Sequence, residues 1–278
     1  MTGIEIGRRL AFGDDGSPGA DRAWQWLIHQ RWPGWRVDVI SVDPPDPSMA
    51  APIACPPLAE STPGHPRTAP DSCGLAGVRH LSTSSDPRLV LGETTDVDLT
   101  VIGPRGAGLL KALHLGSTAE WLIRCPTSPV LVARGESRVE RVLVCVDGSG
   151  HSKAAVEALS LLPWVADTAV TVLAVVEAAG DVRPEAAKAQ ARLRSTGARV
   201  DVLVVEPDIL ALTVNPRLSI MHAIEDLQPD LVVLGTQGLT GLSRILVGSV
   251  ASAIARQAPC SVLLARDRSV ASPDTPDG

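Results

Sequence analysis

A glycine pattern that occurs twice at a fixed displacement constrains this chain of 278 residues more than any other feature. Residues 231–266 and 99–134 each read as a short apolar strand, a glycine loop, a helix and a second strand. Each loop contains Gly-x2-Gly, nine further residues and Gly-Ser, and every marked position in the first copy lies 132 residues before its partner. Turn glycines placed by chance would not keep that register. The marked residues are Gly103, Gly106, Gly116 and Ser117 in the first copy and Gly235, Gly238, Gly248 and Ser249 in the second.

The chemistry of this spacing is anion binding. Glycine lets a backbone approach a phosphate closely, and a Gly-Ser pair at the start of a helix presents free N–H groups and the positive end of the helix dipole. Ser249 would either cap that helix or donate its hydroxyl to a phosphate. A single copy would be explained equally well by turn formation, but the repetition in register favours a binding loop.

The pattern resembles the ATP-binding motif of universal stress proteins, G-x2-G-x9-G-[ST] before a helix and a terminal V-L-[VL]-A-R strand. The resemblance covers both halves, so the chain resembles a tandem universal stress protein. It implies ATP as ligand, with Mg²⁺ carried by the phosphates, and adenine pockets lined by backbone groups of Val42 and Val176. No GxxxxGK[ST] occurs, and the first loop reads GxxGxG, which is not the order of the dinucleotide fingerprint.

Acidic residues follow the first strand of each half, at Asp15 and Asp147 within a shared Asp-Gly-Ser. The carboxyl ends of parallel strands are where open α/β sheets bind ligands. A carboxylate there accepts from ribose hydroxyls or orients a metal-bound water, and it also stabilises the turn itself. Between the paired glycines the halves differ, with Arg105 and Gln237. A guanidinium would give phosphate a charge-assisted contact and an amide a neutral one, unless Arg105 points to solvent.

The order of elements predicts an α/β fold with two Rossmann-like domains. Each is expected to be a five-stranded parallel sheet of order 3-2-1-4-5 with flanking helices, and the two to pack through their apolar fifth strands as an intramolecular pseudo-dimer. The predicted domains are 1–136 and 137–268, with a disordered tail at 269–278. Within the first, residues 44–70 contain nine prolines, so the crossover helix there is expected to be replaced by an extended or disordered insertion.

Helices are predicted at 20–31, 152–162, 185–196 and 218–227 from apolar stripes and start signals, with Ser152 as the N-cap of the second. Trp24, Trp26, Trp32 and Trp35 are interpreted as core packing around the first helix. His151 is close to Asp147 and Ser149 in sequence, but a catalytic triad depends on placement in space, so we interpret it as a residue at a helix start.

Composition limits the partners. A net charge of −6 and 3% aromatic residues argue against nucleic acid and anionic membranes. Five cysteines without CxxC pairs, and an N-terminus without an apolar core, favour a cytoplasmic protein with free thiols. The predicted function is a non-enzymatic, nucleotide-dependent stress regulator with an unknown protein partner, and a homodimer is left open. Alternatives are an interaction module with empty sites, or an enzyme of a related ATP-pyrophosphatase or flavoprotein fold.

Overall fold

The structure is a computed structural model that describes residues 7–44, 56–105, 115–124, 126–176, 181–206, 215–238 and 247–267. It confirms the α/β class, because a mostly parallel central sheet is flanked by helices. Gly106 and the predicted tail at 269–278 lie outside the described residues.

The first half contributes six strands and three helices. The strands are β1 (Arg9–Gly13), β2 (Arg36–Asp43), β3 (Ala59–Glu60), β4 (Gly77–Ser84), β5 (Leu99–Ile102) and β6 (Val130–Val132). The helices are α1 (Pro18–His29), α2 (Pro87–Glu93) and α3 (Ser117–Arg124).

The second half contributes five strands and four helices. The strands are β7 (Arg141–Val146), β8 (Ala169–Val175), β9 (Arg199–Val205), β10 (Leu231–Gly235) and β11 (Ser261–Ala265). The helices are α4 (Gly150–Ser160), α5 (Arg183–Arg194), α6 (Pro216–Leu227) and α7 (Ser249–Gln257). A short 3-10 turn at Pro163–Asp167 leads into β8.

Serine caps decide where the first helix of each half begins. Ser17 accepts a hydrogen bond from the Ala20 N–H at 3.1 Å, and Ser149 accepts one from the Ser152 N–H at the same distance. The expectation that Ser152 caps α4 is therefore wrong. The turn that follows β7 already places Ser149 in an extended conformation, so the earlier serine satisfies the free N–H groups of the first turn.

All eleven strands form one sheet in the order β3-β4-β2-β1-β5-β6-β11-β10-β7-β8-β9. The pairing is parallel except between β3 and β4 and between β6 and β11. This corrects the expectation of two separate, purely parallel five-stranded sheets. Joining β6 to β11 removes two apolar edges that would otherwise stay unpaired, and β3 covers the edge of β4.

Side chains of both halves meet along the β6–β11 junction. Leu131 pairs with Leu263 in its centre, and both are fully buried. The Arg134 N–H donates to Ser261 Oγ at 2.9 Å, and its guanidinium donates to the carbonyls of Cys260 and Ala255 at the end of α7. The two halves therefore share one continuous core around the junction.

Tryptophans form a second contact between the halves. Trp164, in the 3-10 turn before β8, lies edge-on to Trp26 and Trp32 with ring centroids 6.2 and 6.1 Å apart. Trp24 and Trp35 are also buried. The interpretation of the four first-half tryptophans as core residues is confirmed.

The proline-rich insertion contains no α-helix within its described part, residues 56–76. Its carbonyl at Thr68 accepts from Trp24 Nε1 at 3.0 Å. Arg67 binds both carboxylate oxygens of Asp14, at 2.8 and 2.7 Å, and one of Asp21 at 2.6 Å. The insertion is thereby fastened to α1 by side-chain contacts.

Candidate functional site

A cleft of about 700 Å³ opens at the carboxyl ends of β7 and β10. The chain reverses its direction across the sheet at these strands, since β8 lies on one side of β7 and β10 on the other. Open α/β sheets bind ligands at such a switch point. Six of the sequence-predicted residues line the cleft: Asp147, Gly235, Gln237, Gly238, Gly248 and Ser249.

Two of the glycines are required by close approaches. A Cβ on Gly235 would lie 2.6 Å from the carbonyl carbon of His151, because β10 ends directly against the start of α4. A Cβ on Gly238 would lie 2.8 Å from Asp147 Oδ2. Any larger residue at either position must displace the neighbouring element, so the loop keeps its course only with glycine there.

The first turn of α7 faces the cleft with free backbone donors. Gly248 is the N-cap, and no side chain caps the helix. The first three helical residues, Ser249, Val250 and Ala251, all line the cleft, and their N–H groups have no intrahelical acceptor. Ser249 is thus the first helical residue and not the cap, so its hydroxyl is not used to close its own helix.

Asp147 lies opposite that helix end. Its Oδ1 accepts the Ser149 N–H at 2.9 Å, which closes the turn after β7. Its Oδ2 is the atom that approaches Gly238. Ser149 Oγ in turn donates to the Gln237 carbonyl at 3.3 Å. The turn-stabilising role of Asp147 is therefore observed, and the carboxylate also borders the cleft.

The cleft has a further wall that the glycine pattern did not reveal. It is built from the starts of α5 and α6, with apolar side chains of β8 beneath. The added lining residues include Leu173, Val175, Asp181, Val182, Glu185, Asn215, Pro216 and Ile220. Prolines in the first turns of both helices marked these starts in the sequence. Val176 does not line the cleft, and its N–H donates to the Val205 carbonyl at 2.9 Å.

The thiol of Cys145 also lines the cleft. Burial raises its pKa to about 12, and the charge of Asp147 acts in the same direction. A thiol held in its neutral form is a weak nucleophile. Cys145 therefore contributes shape to the cleft and no reactive group.

The first half repeats the same hydrogen bonds 132 residues earlier. Asp15 accepts the Ser17 N–H at 3.1 Å, and Ser17 Oγ donates to the Arg105 carbonyl at 3.4 Å. The Gly116 N–H donates to the Pro104 carbonyl at 2.8 Å, as Gly248 does to Thr236 at 2.7 Å.

The other first-half predictions fall on the same framework. Gly103 follows β5 and lies against the Gly19 carbonyl, Ser117 begins α3, and Val42 lies in β2 opposite Thr83 of β4. These residues keep the framework of the second-half site. The wall differs, because the insertion takes the place of the crossover helix.

Metal and membrane signals are absent from the described residues. No group of three or more His, Cys, Asp or Glu side chains in the described ranges is arranged to hold a metal ion. Among the same residues, no helix has both the length and the apolarity needed to cross a bilayer.

The fold and the cleft define an α/β protein with a glycine loop and a helix end suited to an anionic ligand. The family model described as "Universal stress protein family" matches residues 138–266, which contain this cleft. A universal stress protein of Mycolicibacterium smegmatis is 26% identical over 221 residues, which cover 70% of each chain. One of Methanocaldococcus jannaschii is 45% identical over 51 residues, which cover 18% of this chain and only 30% of that protein.

A solved structure extends the similarity to the first half. The crystal structure of a universal stress protein from Archaeoglobus fulgidus matches with a TM-score of 0.65 and 15% identity. The match covers 93% of this chain and 98% of that one. At this identity the similarity concerns the fold, and it spans nearly the whole chain.

Proposed function

We propose that the chain is a tandem universal stress protein whose second half binds ATP. The observation that carries the proposal is the convergence of Gly238, Gly248, Ser249 and Asp147 on one cleft. Its volume, about 700 Å³, lies within the range of roughly 300–1,000 Å³ typical of ligand pockets.

In the proposed complex, the phosphates lie against Gly238 and the first turn of α7. Free N–H groups and the helix dipole favour anions there, and Ser249 Oγ adds a hydrogen bond. Asp147 is on the ribose side, and the base lies toward Leu173 and Val175. Mg²⁺ is carried by the phosphates, since the donor set of the described cleft suits a metal already bound to ligand oxygens better than a bare ion.

The first half is proposed as a second universal stress protein domain. Its support is the hydrogen-bond framework that repeats at a displacement of 132 residues, together with the matching order of its strands. The antiparallel β6–β11 junction supports an intramolecular pseudo-dimer. A second ATP site at Asp15, Gly103 and Gly116 would have a different wall on the side of the insertion.

The biological role that fits is regulation by nucleotide occupancy. The described cleft supplies binding groups but no activated nucleophile, so we propose a regulator and not an enzyme. A cytoplasmic location fits the free thiols of Cys73, Cys145 and Cys260. The protein partner would read the occupied or empty state of the cleft.

The test is calorimetric titration of the full chain with ATP and Mg²⁺. Gly238→Ala should abolish measurable binding, because the added Cβ meets Asp147. Gly77→Ala is the matched control, since a Cβ there meets no atom within 4 Å. Ser249→Ala should weaken binding roughly tenfold or more, the effect of losing one hydrogen bond to a charged group. ATP binding that survives Gly238→Ala unchanged would disprove this site, and no binding by the unaltered chain would favour an interaction module.

A further inference from the structure

His151 lies where three segments of the second half meet. It is the second residue of α4, and the backbone of Gly235 at the end of β10 packs directly against it. Its ring Nδ1 lies 3.2 Å from Thr236 Oγ1 at the start of the glycine loop. The Asp267 N–H, just beyond β11, donates to the same nitrogen at 3.1 Å. One ring nitrogen thus joins the helix, the loop and the strand exit.

The backbone donor fixes the protonation state that this arrangement accepts. Because Asp267 N–H can only donate, Nδ1 must carry a lone pair, and the imidazole is neutral with its proton on Nε2. A second proton on Nδ1 would face that N–H and break the contact. The geometry is therefore compatible with neutral His151 and not with the imidazolium.

The loop depends on this contact through Thr236. The Thr236 carbonyl accepts the N–H of Gly248, the N-cap of α7, at 2.7 Å, and the Thr236 N–H donates to the Ala265 carbonyl at 2.9 Å. Thr236 is almost fully buried. A shift of Thr236 would be transmitted to Gly248, and so to the free N–H groups of α7 that face the cleft.

The charges around the ring have opposing effects. Burial and Arg266 lower the pKa of His151, whereas the carboxylates of Asp267 and Asp147 raise it, and the pKa stays below its usual value of 6.5. The described loop residues that contact His151, Gly235 and Thr236, carry no charge. The neutral ring is thus the favoured form at neutral pH.

The first half lacks this device. The position that corresponds to His151 is Gly19, and the Arg105 carbonyl lies 2.1 Å from where a Cβ on Gly19 would be. The first loop therefore occupies the space that the histidine side chain uses in the second half. Any effect of His151 is confined to the second-half cleft.

We propose that His151 is a positioning residue for the glycine loop, and that its protonation weakens nucleotide binding by the second half. The inference rests on the proposed function and adds its regulation by pH. Binding requires the arrangement that only neutral His151 supports, so nucleotide must displace the proton at acid pH. The affinity consequently falls as the pH drops through the range in which the free protein protonates His151.

The test compares ATP affinity of the full chain between pH 8 and pH 5.5 with that of two variants. The substitution His151→Asn places an amide oxygen near the position of Nδ1, where it accepts the Asp267 N–H at every pH. This variant should match the unaltered chain at pH 8 and bind roughly two- to tenfold more tightly at pH 5.5, the range for one neutral hydrogen bond. His151→Ala should bind more weakly at both pH values.

The comparison at each pH removes the contribution of ATP, whose terminal phosphate titrates near pH 6. His222→Asn, at an exposed histidine of α6, is the matched control and should follow the unaltered chain. Parallel curves for the chain and His151→Asn would overturn the inference. So would tighter binding of the unaltered chain at pH 5.5, which would make the imidazolium a phosphate ligand. No binding at any pH would refute the proposed function itself.

Discussion

Trp164 should be the side chain whose loss reveals that the two halves unfold as one unit. It belongs to the second half, yet it packs edge-on against Trp26 and Trp32 of the first and is only 1% exposed. Trp164→Ala removes this contact and leaves a cavity between the halves. Truncation of a buried tryptophan costs about 3–5 kcal/mol, a large share of the ~5–15 kcal/mol that stabilises a typical protein.

The same residue offers an internal comparison. Trp164 Nε1 is the buried side-chain donor for which the described residues supply no acceptor. An unsatisfied buried donor costs about 1–3 kcal/mol, and Trp164→Phe removes it while keeping most of the ring. The loss of ring area and the relief of the donor offset each other, so the phenylalanine variant should lose at most about 1 kcal/mol.

Urea unfolding measures both variants, followed by circular dichroism for the backbone and by tryptophan fluorescence for the core. The two signals should move together, with one midpoint that shifts down strongly in Trp164→Ala. Trp121→Ala, at an exposed tryptophan of α3, is the control and should shift it little. Two separate transitions in the unaltered chain, or a cost below about 1 kcal/mol for Trp164→Ala, would refute the shared core.

Two ion pairs should differ in weight. Arg67→Ala should cost about 2–4 kcal/mol by urea unfolding, since its bidentate partner Asp14 is largely buried, whereas Arg22→Ala should cost under about 0.5 kcal/mol. Burial alone would raise the pKa of Asp14, but hydrogen bonds from Arg67 and Gly16 hold it below 3.8. Its contribution is therefore complete above pH 3.8 and lost as the pH falls below it; equal costs at pH 7 and pH 2 would contradict this. The exposed pair between Arg256 and Glu120 joins the halves, but a double-mutant cycle should give less than about 1 kcal/mol.

Much of the second-half site could be predicted from the sequence because its residues stand at the ends of elements. A short apolar strand such as β10 fixes where Gly235 lies, and parallel neighbours place their carboxyl ends at one edge. Asp147 and Gly238 are 91 positions apart in the chain, yet both follow adjacent strands. The pattern of strands and turns therefore sufficed to bring them to one cleft.

The features that sequence reasoning missed depend on contacts that no local pattern encodes. Both Ser149 and Ser152 have the chemistry of a helix cap, and only the end of β7 decides between them. Val175 and not Val176 reaches the cleft, a difference of one residue that reverses the direction of a strand side chain. The grip of Arg67 on Asp14 joins positions 53 residues apart, and nothing in the composition of the insertion specifies its path.

The repeat is exact in one part of each half and not in the other, and the fold accounts for the difference. Leu10 pairs with Leu99 as Val142 pairs with Leu231, and the displacement of 132 also holds between the fourth and fifth strands. The fourth strands lead into the glycine loops, and the fifth strands form the junction between the halves. A change of register there would disturb a cleft and the shared core at once. The second and third strands lie away from the junction, so the connection between them could become a proline-rich insertion in one half and α5 in the other.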